Sequence, residues 1–316
     1  MALPARAISG LQKLDNPDRC QSETKNQRVF IIGNPASGRG RASGQIKLLE
    51  KILAEDGNIV ISKMTSAAGD VPRLLKDLPS DIDVLAVVGG DGTVNDVLNS
   101  LEIPTKLPIA VLPTGGANIL ARDLCLPRNA NGTAKLIRNG KTRQIDIGLV
   151  GDQCRFSAVL SVGFDATVVK TVQQGRKGRL GMRGFLLPTL KIVFGFKAPK
   201  LTVSVDHLTP VNGAMVIVAN TPTYAGFLHV ADHAKCDSGH FDVVVLPRWG
   251  FLPVIRYFWA AYRKRLSKLP EVIYLTGGKV SIRSDVAADV EIDGEYFGTT
   301  PVDISVVPRA ATFLVP

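Results

Sequence analysis

The chain has 316 residues, of which 45% are hydrophobic, and its 38 Lys and Arg outnumber 28 Asp and Glu for a net charge of +10. That composition excludes a disordered protein and supplies enough apolar residues for two domains or one large one. The charge favours an acidic partner, whether nucleic acid, an anionic membrane or a phosphorylated ligand. Four widely spaced cysteines form no CxxC pair, which argues against a disulfide framework and for a reducing compartment. No run of 18 apolar residues is long enough for a membrane span, and no apolar stretch near the start suggests a secretory signal.

In chain order, residues 1–26 read as a polar, irregular tail. Strand patterns then alternate with helical ones. Strands are predicted over 29–32, 59–62, 84–88 and 109–112, and helices over 42–54, 71–76, 93–101 and 118–124. This alternation predicts a doubly wound α/β domain with a parallel sheet over 27–148. Past Asp146-Ile147-Gly148 the rhythm changes to short segments: 156–162, 201–205, 214–219, 241–246, 272–275, 279–283, 290–292, 302–306 and 312–315. They predict a mostly antiparallel β-sandwich over 149–316, interrupted by helical inserts at 179–195 and 250–266.

Three of the first four strands run into glycine-rich turns. The first exits into Asn34-Pro35-Ala36-Ser37-Gly38-Arg39-Gly40, the third into Gly89-Gly90-Asp91-Gly92-Thr93-Val94-Asn95, and the fourth into Pro113-Thr114-Gly115-Gly116-Ala117-Asn118. Glycine lets a ligand approach the backbone, and amides at a turn and helix start attract anions. Neither a Walker A loop nor a GxGxxG fingerprint is present. Ser37 and Gly38 still offer hydroxyl and amide donors, with Arg39 or Arg41 for charge. Carboxyl ends of strands are where open α/β sheets bind ligands. Candidate general bases are Asp91, Asp293 and Glu295. In Asp293-Gly294-Glu295 the two acids would share a face if the backbone were a strand, but Gly294 equally allows a hairpin turn with solvated acids.

NPASGRG, GGDGT followed by VND, LPTGGAN, and a terminal EIDGE with VVPRAATFLVP stand in the order found in the diacylglycerol kinase catalytic family, which this chain resembles over residues 28–316. That family includes bacterial diacylglycerol-kinase-like lipid kinases, sphingosine kinases and ceramide kinases. The resemblance implies ATP as donor with Mg2+, and a lipid acceptor such as diacylglycerol or a sphingoid base. It places the nucleotide on Asn34, Pro35, Ala36, Ser37 and Gly38, on Gly89, Gly90, Asp91, Gly92, Thr93, Val94 and Asn95, and on Gly116. Thr65 matches a nucleotide-contacting threonine; without the family it reads as a turn or helix cap before Val71. Glu295 matches the proton acceptor of the bacterial enzymes, leaving Asp91 to organise magnesium and phosphate. The sphingosine kinases give the base role to the GGDGT aspartate instead. In the third loop, Gly116 and Ile119 stand where the family has threonine and aspartate, so Ile119 is expected to pack. A structural magnesium site of the family falls on Lys235, Ser238 and His240, but its liganding aspartate is Ser238 here.

The same region holds His229, His233, Cys236 and His240, without zinc-finger spacing; a polar loop is preferred to zinc. Residues 249–268 are amphipathic. A helix covering the second sheet with its basic residues in solvent is preferred, and an interfacial helix is the alternative. Arg176, Lys177, Arg179 and Arg183 form a basic cluster, read either as a solvated loop or as an attraction to anionic lipid. Nucleic acid is not expected, since no binding motif accompanies the charge. The expectation is a cytoplasmic, peripherally membrane-associated lipid kinase, with homodimerisation open. Rival readings are an NAD-kinase-like enzyme and a lipid-binding protein of the same fold without turnover.

Overall fold

The computed structural model describes residues 26–67, 69–152, 154–174, 192–193 and 195–316. The tail over 1–25, the basic cluster at Arg176–Arg183 and nearly all of the helix predicted over 179–195 lie outside them.

The first half alternates as its pattern predicts: β1 (Arg28–Gly33), α1 (Arg41–Glu55), β2 (Ile59–Met64), α2 (Val71–Leu75), β3 (Val84–Gly89), α3 (Asp91–Ser100), β4 (Ile109–Pro113), α4 (Ile119–Asp123) and α5 (Ala130–Asn139). Every residue of β3 and β4 is buried. Such continuous apolar runs suit parallel strands covered on both faces. The parallel order is β2-β1-β3-β4, so the chain turns back on itself between β1 and β3. Beyond the carboxyl ends of these two strands lies the crevice where sheets of this kind take their ligand.

The second half contains β5 (Lys141–Val150), β6 (Cys154–Phe156), β7 (Val159–Val162), α6 (Phe164–Gln174), β8 (Leu201–Val205), β9 (Val211–Gly213), β10 (Met215–Ala219), β11 (Thr223–Tyr224), β12 (Leu228–His229), β13 (Phe241–Leu246), α7 (Phe251–Tyr262), β14 (Ile273–Gly277), β15 (Lys279–Ser284), β16 (Asp289–Ile292), β17 (Glu295–Thr299) and β18 (Val302–Val315). One antiparallel sheet has the order β14-β13-β10-β7-β16-β17. It packs through Leu160, Val162, Val216, Val218, Phe241 and Val290 against Leu201, Val203, Val280, Ile282 and Ile304 of the other sheet.

That other sheet is shared by both halves. The segments predicted at 302–306 and 312–315 are one strand, β18, with a register shift between Val307 and Ala311 where Arg309 takes a φ of 51°. Val302–Ser305 pair with β15, and Phe313 pairs in parallel with Ile109 of β4. β5 follows β18 along its other edge from Val150 to Lys141. The boundary expected near 148 therefore falls inside a strand, because β5 and β18 are each long enough to serve both halves.

A second tie runs through α3. Arg155 Nη1 donates to Leu98 O at 2.7 Å and Leu101 O at 2.5 Å, carbonyls at the end of α3 with no helical partner. Asn99 exchanges two hydrogen bonds with the Arg155 backbone. Arg155→Ala is expected to lower unfolding stability by about 2 kcal/mol, since charge-assisted hydrogen bonds are lost. Urea titration reads this; an unchanged midpoint and slope would discard the tie.

Candidate functional site

The first loop leaves β1 at Gly33, where a Cβ would come within 2.6 Å of Ile46. Asn34 N donates to Val88 O on β3, and Asn34 Nδ2 reaches Thr93 Oγ1 at 3.4 Å. Ser37 is buried, and Gly38 has a φ of 60° and lies so close to Thr114 O that no side chain fits. Pro35 is half-buried and Ala36 exposed beside them. Thr65 N donates to Gly33 O, which sets Thr65 alongside this loop at the end of β2. The turn after it is held by the Asp70 carboxylate, which accepts from Ser66 N, Ser66 Oγ and Ala67 N.

The second and third loops meet backbone to backbone. A Cβ on Gly115 would lie 2.6 Å from Gly90 Cα. The helix α3 begins at Asp91, two residues earlier than its pattern predicts, so its first amides belong to the GGDGT turn. Gly89 must lack a side chain because Thr93 fills the space. Val94 is buried in the core and offers only its backbone, and the Asn95 carboxamide accepts from Asn99 Nδ2.

The Asp91 carboxylate joins these loops, a role the sequence did not disclose. Oδ2 accepts from Asn118 N at 2.7 Å and Oδ1 from Ile119 N at 2.6 Å, so Asp91 caps α4 from across the crevice. Asn118, with a φ of 48°, closes the third loop on itself through Gly115 N and Gly115 O. Burial raises the Asp91 pKa to about 6; the Ile119 amide opposes the rise and the Asp293 charge adds to it. Ile119 is buried, in line with its expected packing role, and Gly116 faces open space. Thr114 Oγ1 is buried here without a hydrogen-bond partner.

The distant C-terminal acids arrive on the β16–β17 hairpin. Ile292 pairs with Glu295 across a two-residue turn in which Asp293 and Gly294 have φ of 49° and 86°. Positive φ at both central residues defines a type I′ hairpin turn. The turn expected as an alternative to a strand is therefore present, but Asp293 is not a solvated acid. It is buried, and its carboxylate accepts from Ser157 N, Ser157 Oγ, Ala158 N and Val159 N at 2.8–3.2 Å. Named among the catalytic candidates from sequence, Asp293 is corrected to a positioning residue, because two donors fill each of its oxygens: Ser157 N and Oγ on Oδ2, Ala158 N and Val159 N on Oδ1.

Glu291, missed by sequence reasoning, braces the same turn: Oε2 accepts from Gly294 N at 2.7 Å and Oε1 from Ser161 Oγ at 2.9 Å. Burial, and then the nearby Asp165 charge, hold the Glu291 pKa well above the usual carboxylate range. Glu295 is exposed on the far side of the turn. Its Oε1 lies 3.0 Å from where a Cβ on Gly92 would stand, so the acid rests against the GGDGT turn. Asp91, Gly92 and Glu295 are thus brought together from opposite halves of the sequence.

The loop at Lys235–His240 does not fit the magnesium site implied by the resemblance. Ser238 Oγ lies 2.9 Å from Lys235 O and 3.0 Å from His240 O, so a neutral hydroxyl, able to donate to one of the two at a time, stands where a carboxylate would complete a cation's ligands. The neighbouring Asp237 carboxylate is paired with Arg143 at 2.8 Å. Gly239 N donates to the buried Asp146, which also accepts from Arg309 N in the β18 register shift. The loop is therefore held by protein contacts. Among the described residues, no group of three or more His, Cys, Asp and Glu side chains is arranged to hold a metal. Cys236 is buried, and burial with the Asp123 charge pushes its thiol up to about 12.

A parallel sheet with glycine loops at its switch point, closed by a β-sandwich that returns an acid to those loops, defines a two-part kinase fold. Residues 28–150 match the diacylglycerol kinase catalytic domain, and residues 158–315 match the YegS C-terminal NAD kinase beta sandwich-like domain. The chain belongs to this diacylglycerol kinase family. It is 28% identical to a diacylglycerol kinase of Staphylococcus epidermidis over 285 residues, covering 88% of each chain. It is 26% identical to that of Staphylococcus aureus strain MRSA252 over 297 residues, covering 92% of this chain and 93% of that one. The fold is shared with a diacylglycerol kinase from Bacillus anthracis (TM-score 0.75, 23% identity, 93% and 99% coverage). It is shared more distantly with an NAD kinase from Archaeoglobus fulgidus (TM-score 0.50, 14% identity, 90% and 92% coverage).

Two outcomes follow from this geometry. The folded pKa of Asp91 lies above its unfolded value, so protonation favours the folded state. The linked stabilisation is complete below about pH 4 and is lost as pH rises through about 6. Between those limits the stability of the wild type should fall by about 3 kcal/mol relative to Asp91→Asn. Urea titrations across this range check it, and parallel curves would refute it. Separately, the melting temperature of the nucleotide-free protein should not respond to EDTA or to added Mg2+. A Mg2+-dependent rise that Ser238→Ala removes would restore the cation to that loop.

Proposed function

We propose that the protein is an ATP-dependent lipid kinase that transfers the γ-phosphate to a hydroxyl of a lipid such as diacylglycerol or a sphingoid base. The observation that carries this reading is the contact of Glu295 with Gly92. It sets a carboxylate from the β-rich half at the mouth of three converging backbone loops. The loops suit a polyphosphate: they offer the first amides of α3, and at Gly115 the backbone lies too close to Gly90 for any side chain. Ser37, Gly38 and Thr65 would border the nucleotide. Asp91 would hold Mg2+ with the phosphates, each of its oxygens keeping a lone pair beyond its amide contact, and the ion would neutralise charge on the phosphates.

Glu295 is then the general base. It takes the proton of the lipid hydroxyl as that oxygen bonds to the γ-phosphorus and the bond from that phosphorus to the β–γ bridging oxygen breaks. Asp293 and Glu291 fix the turn that carries it. A base on a rigid hairpin needs little further ordering in the transition state. The lipid acceptor and the basic charge support action at a membrane surface, and ATP as donor supports the cytoplasmic face. No helix among the described residues is long and apolar enough to cross a membrane.

Glu295→Gln should lower kcat by about 10²–10⁴-fold with little change in fold, the usual loss when a general base is removed. Radiolabelled ATP with diacylglycerol, monoacylglycerol, sphingosine and NAD in parallel reads both the loss and the acceptor. Near-normal lipid phosphorylation by the variant, or labelling of NAD alone, rejects the proposal.

A further inference from the structure

The preferred expectation for residues 249–268 was a helix whose apolar face covers the second sheet. The structure reverses its orientation. Only Tyr257 and Ala261 of α7 are buried. Phe251, Leu252, Ile255, Phe258, Trp259 and Tyr262 are 38–74% exposed, and they are half of the twelve large apolar side chains that the described residues expose. At 100° per residue all six fall within one third of the helix circumference. Phe258 and Tyr262 stack with ring centroids 6.5 Å apart, and Trp259 meets Tyr262 edge-on at 5.8 Å. A contiguous aromatic stripe of this kind on a surface marks a site of interaction.

Charge decides the partner. From Arg248 to Glu271 the chain has six basic residues and one acidic residue. Arg263 lies 5.7 Å over the Trp259 ring. With Trp259, Arg265, Lys268 and Leu269 it lines an open groove of about 600 Å³. Of the acids nearby, Glu271 pairs with Arg256 and so offsets one of the six basic charges, and Asp232 accepts from Ser267 Oγ. A cationic rim around an exposed aromatic and leucine stripe is complementary to anionic headgroups above acyl chains.

We infer that α7 is a membrane-docking helix that lies in the plane of an anionic phospholipid surface. The inference deepens the lipid-kinase reading by naming the surface on which that reading would place the enzyme. The docked helix is joined to the site. One apolar cluster runs from Tyr257 and Ala261 of α7, through Leu228 and Tyr224 of the β11–β12 hairpin, to Ala117 and Ile119 of the third loop. Arg122 of α4 donates to Gly226 O at the tip of that hairpin. A surface bound at α7 therefore sits one packing layer from the loop that Asp91 caps.

The test is sedimentation of the full chain with phosphatidylcholine vesicles, with and without phosphatidylglycerol, in the absence of ATP. The wild type should bind the anionic vesicles at least about tenfold more tightly than neutral ones, and added salt should weaken binding. Leu252→Glu and Trp259→Glu, both at exposed positions, should each reduce binding by about tenfold or more. Both variants should retain wild-type turnover of a short-chain, water-soluble diacylglycerol while losing turnover of vesicle-embedded lipid. Equal binding to both vesicle types overturns the inference. So does a stripe that proves to be a subunit interface, with a wild-type dimer that Leu252→Glu converts to monomer and no vesicle binding by either. Because binding is read without nucleotide, it judges the helix even if no lipid is phosphorylated and the kinase reading fails.

Discussion

The site depends on a buried carboxylate that is not itself placed to react. Asp293 accepts three consecutive backbone amides from Ser157 to Val159, along with the Ser157 hydroxyl. Burial holds its pKa above the usual carboxylate range, and the Ser157, Val159 and Ala158 amides offset only part of that rise. A buried acid is tolerable only with such partners, because an unpaired one loses its hydration for nothing. Its contacts pin the start of β7 to the tip of the β16–β17 hairpin. They also force Asp293 into a positive φ, which turns the chain so that the next acid, Glu295, emerges on the opposite side. Lys170 and Thr167 of α6 hold Asp289 at the base of the same hairpin, and Gln173 accepts from Tyr296 N. The reactive position is thus fixed by a ring of polar contacts from three elements.

The same short segment reaches the other half of the site. Two residues before Ser157, Arg155 grips the end of α3, whose first residue is Asp91. The helix works as a strut. Its carboxyl end is clamped by the segment that Asp293 holds, and its amino end carries the phosphate-facing amides. A helix of ten residues keeps this spacing because its ladder of hydrogen bonds is stiff along the axis. Asp91 then fastens the third loop to that amino end. Neither half of the molecule needs a large interface over the crevice, since one helix and two long strands, β5 and β18, fix their separation.

The parts of this arrangement legible in sequence were the local ones. Val84–Val88 read as a buried strand because an unbroken apolar run of that length suits a parallel core, and the glycines after it announced a turn with close backbone approach. The sandwich was legible from alternation. What escaped was non-local or locally contradictory. The helix α6 was not predicted because its Val168, Val169, Thr167, Thr171 and Val172 carry β-branched side chains that favour strands; packing of Val168 and Val172 against Phe164 and Val193 decides it. The helix α5 was missed for its Gly132 and Asn131, although the Asn129 side chain caps it. Asp91 as the cap of α4 joins residues 27 apart, and Asp293 as the holder of Ser157 joins residues 136 apart. No window along the chain contains both partners. The Ser238 loop is a subtler case. The substitution was visible, but only the position of its hydroxyl between two carbonyls shows that the residue completes the loop rather than leaving it deficient.

The orientation of α7 turns on how much covering the second sheet needs. A sheet face must be buried by something, and an amphipathic helix beside it is the usual solution. Here the β11–β12 hairpin and the chain after it do most of that work: Tyr224, Leu228, Val230 and Ala231 pack on Val159, Ile217, Ala219 and Val244. Tyr274 Oη reaches Val230 O and fastens the hairpin from the sheet side. The space left for α7 buries Tyr257 and Ala261 and takes Ala260 in part, while Val254 packs on the cluster around Phe164 and Val168 of α6. The six exposed apolar residues face away from both clusters, and their count far exceeds what a solvent-facing helix requires. Gly250, at a φ of 133°, and Pro253 in the first turn set the angle at which the helix leaves β13. The outward stripe is a consequence of the hairpin's packing, and the element that displaces α7 from the sheet is the one that rests on the third loop.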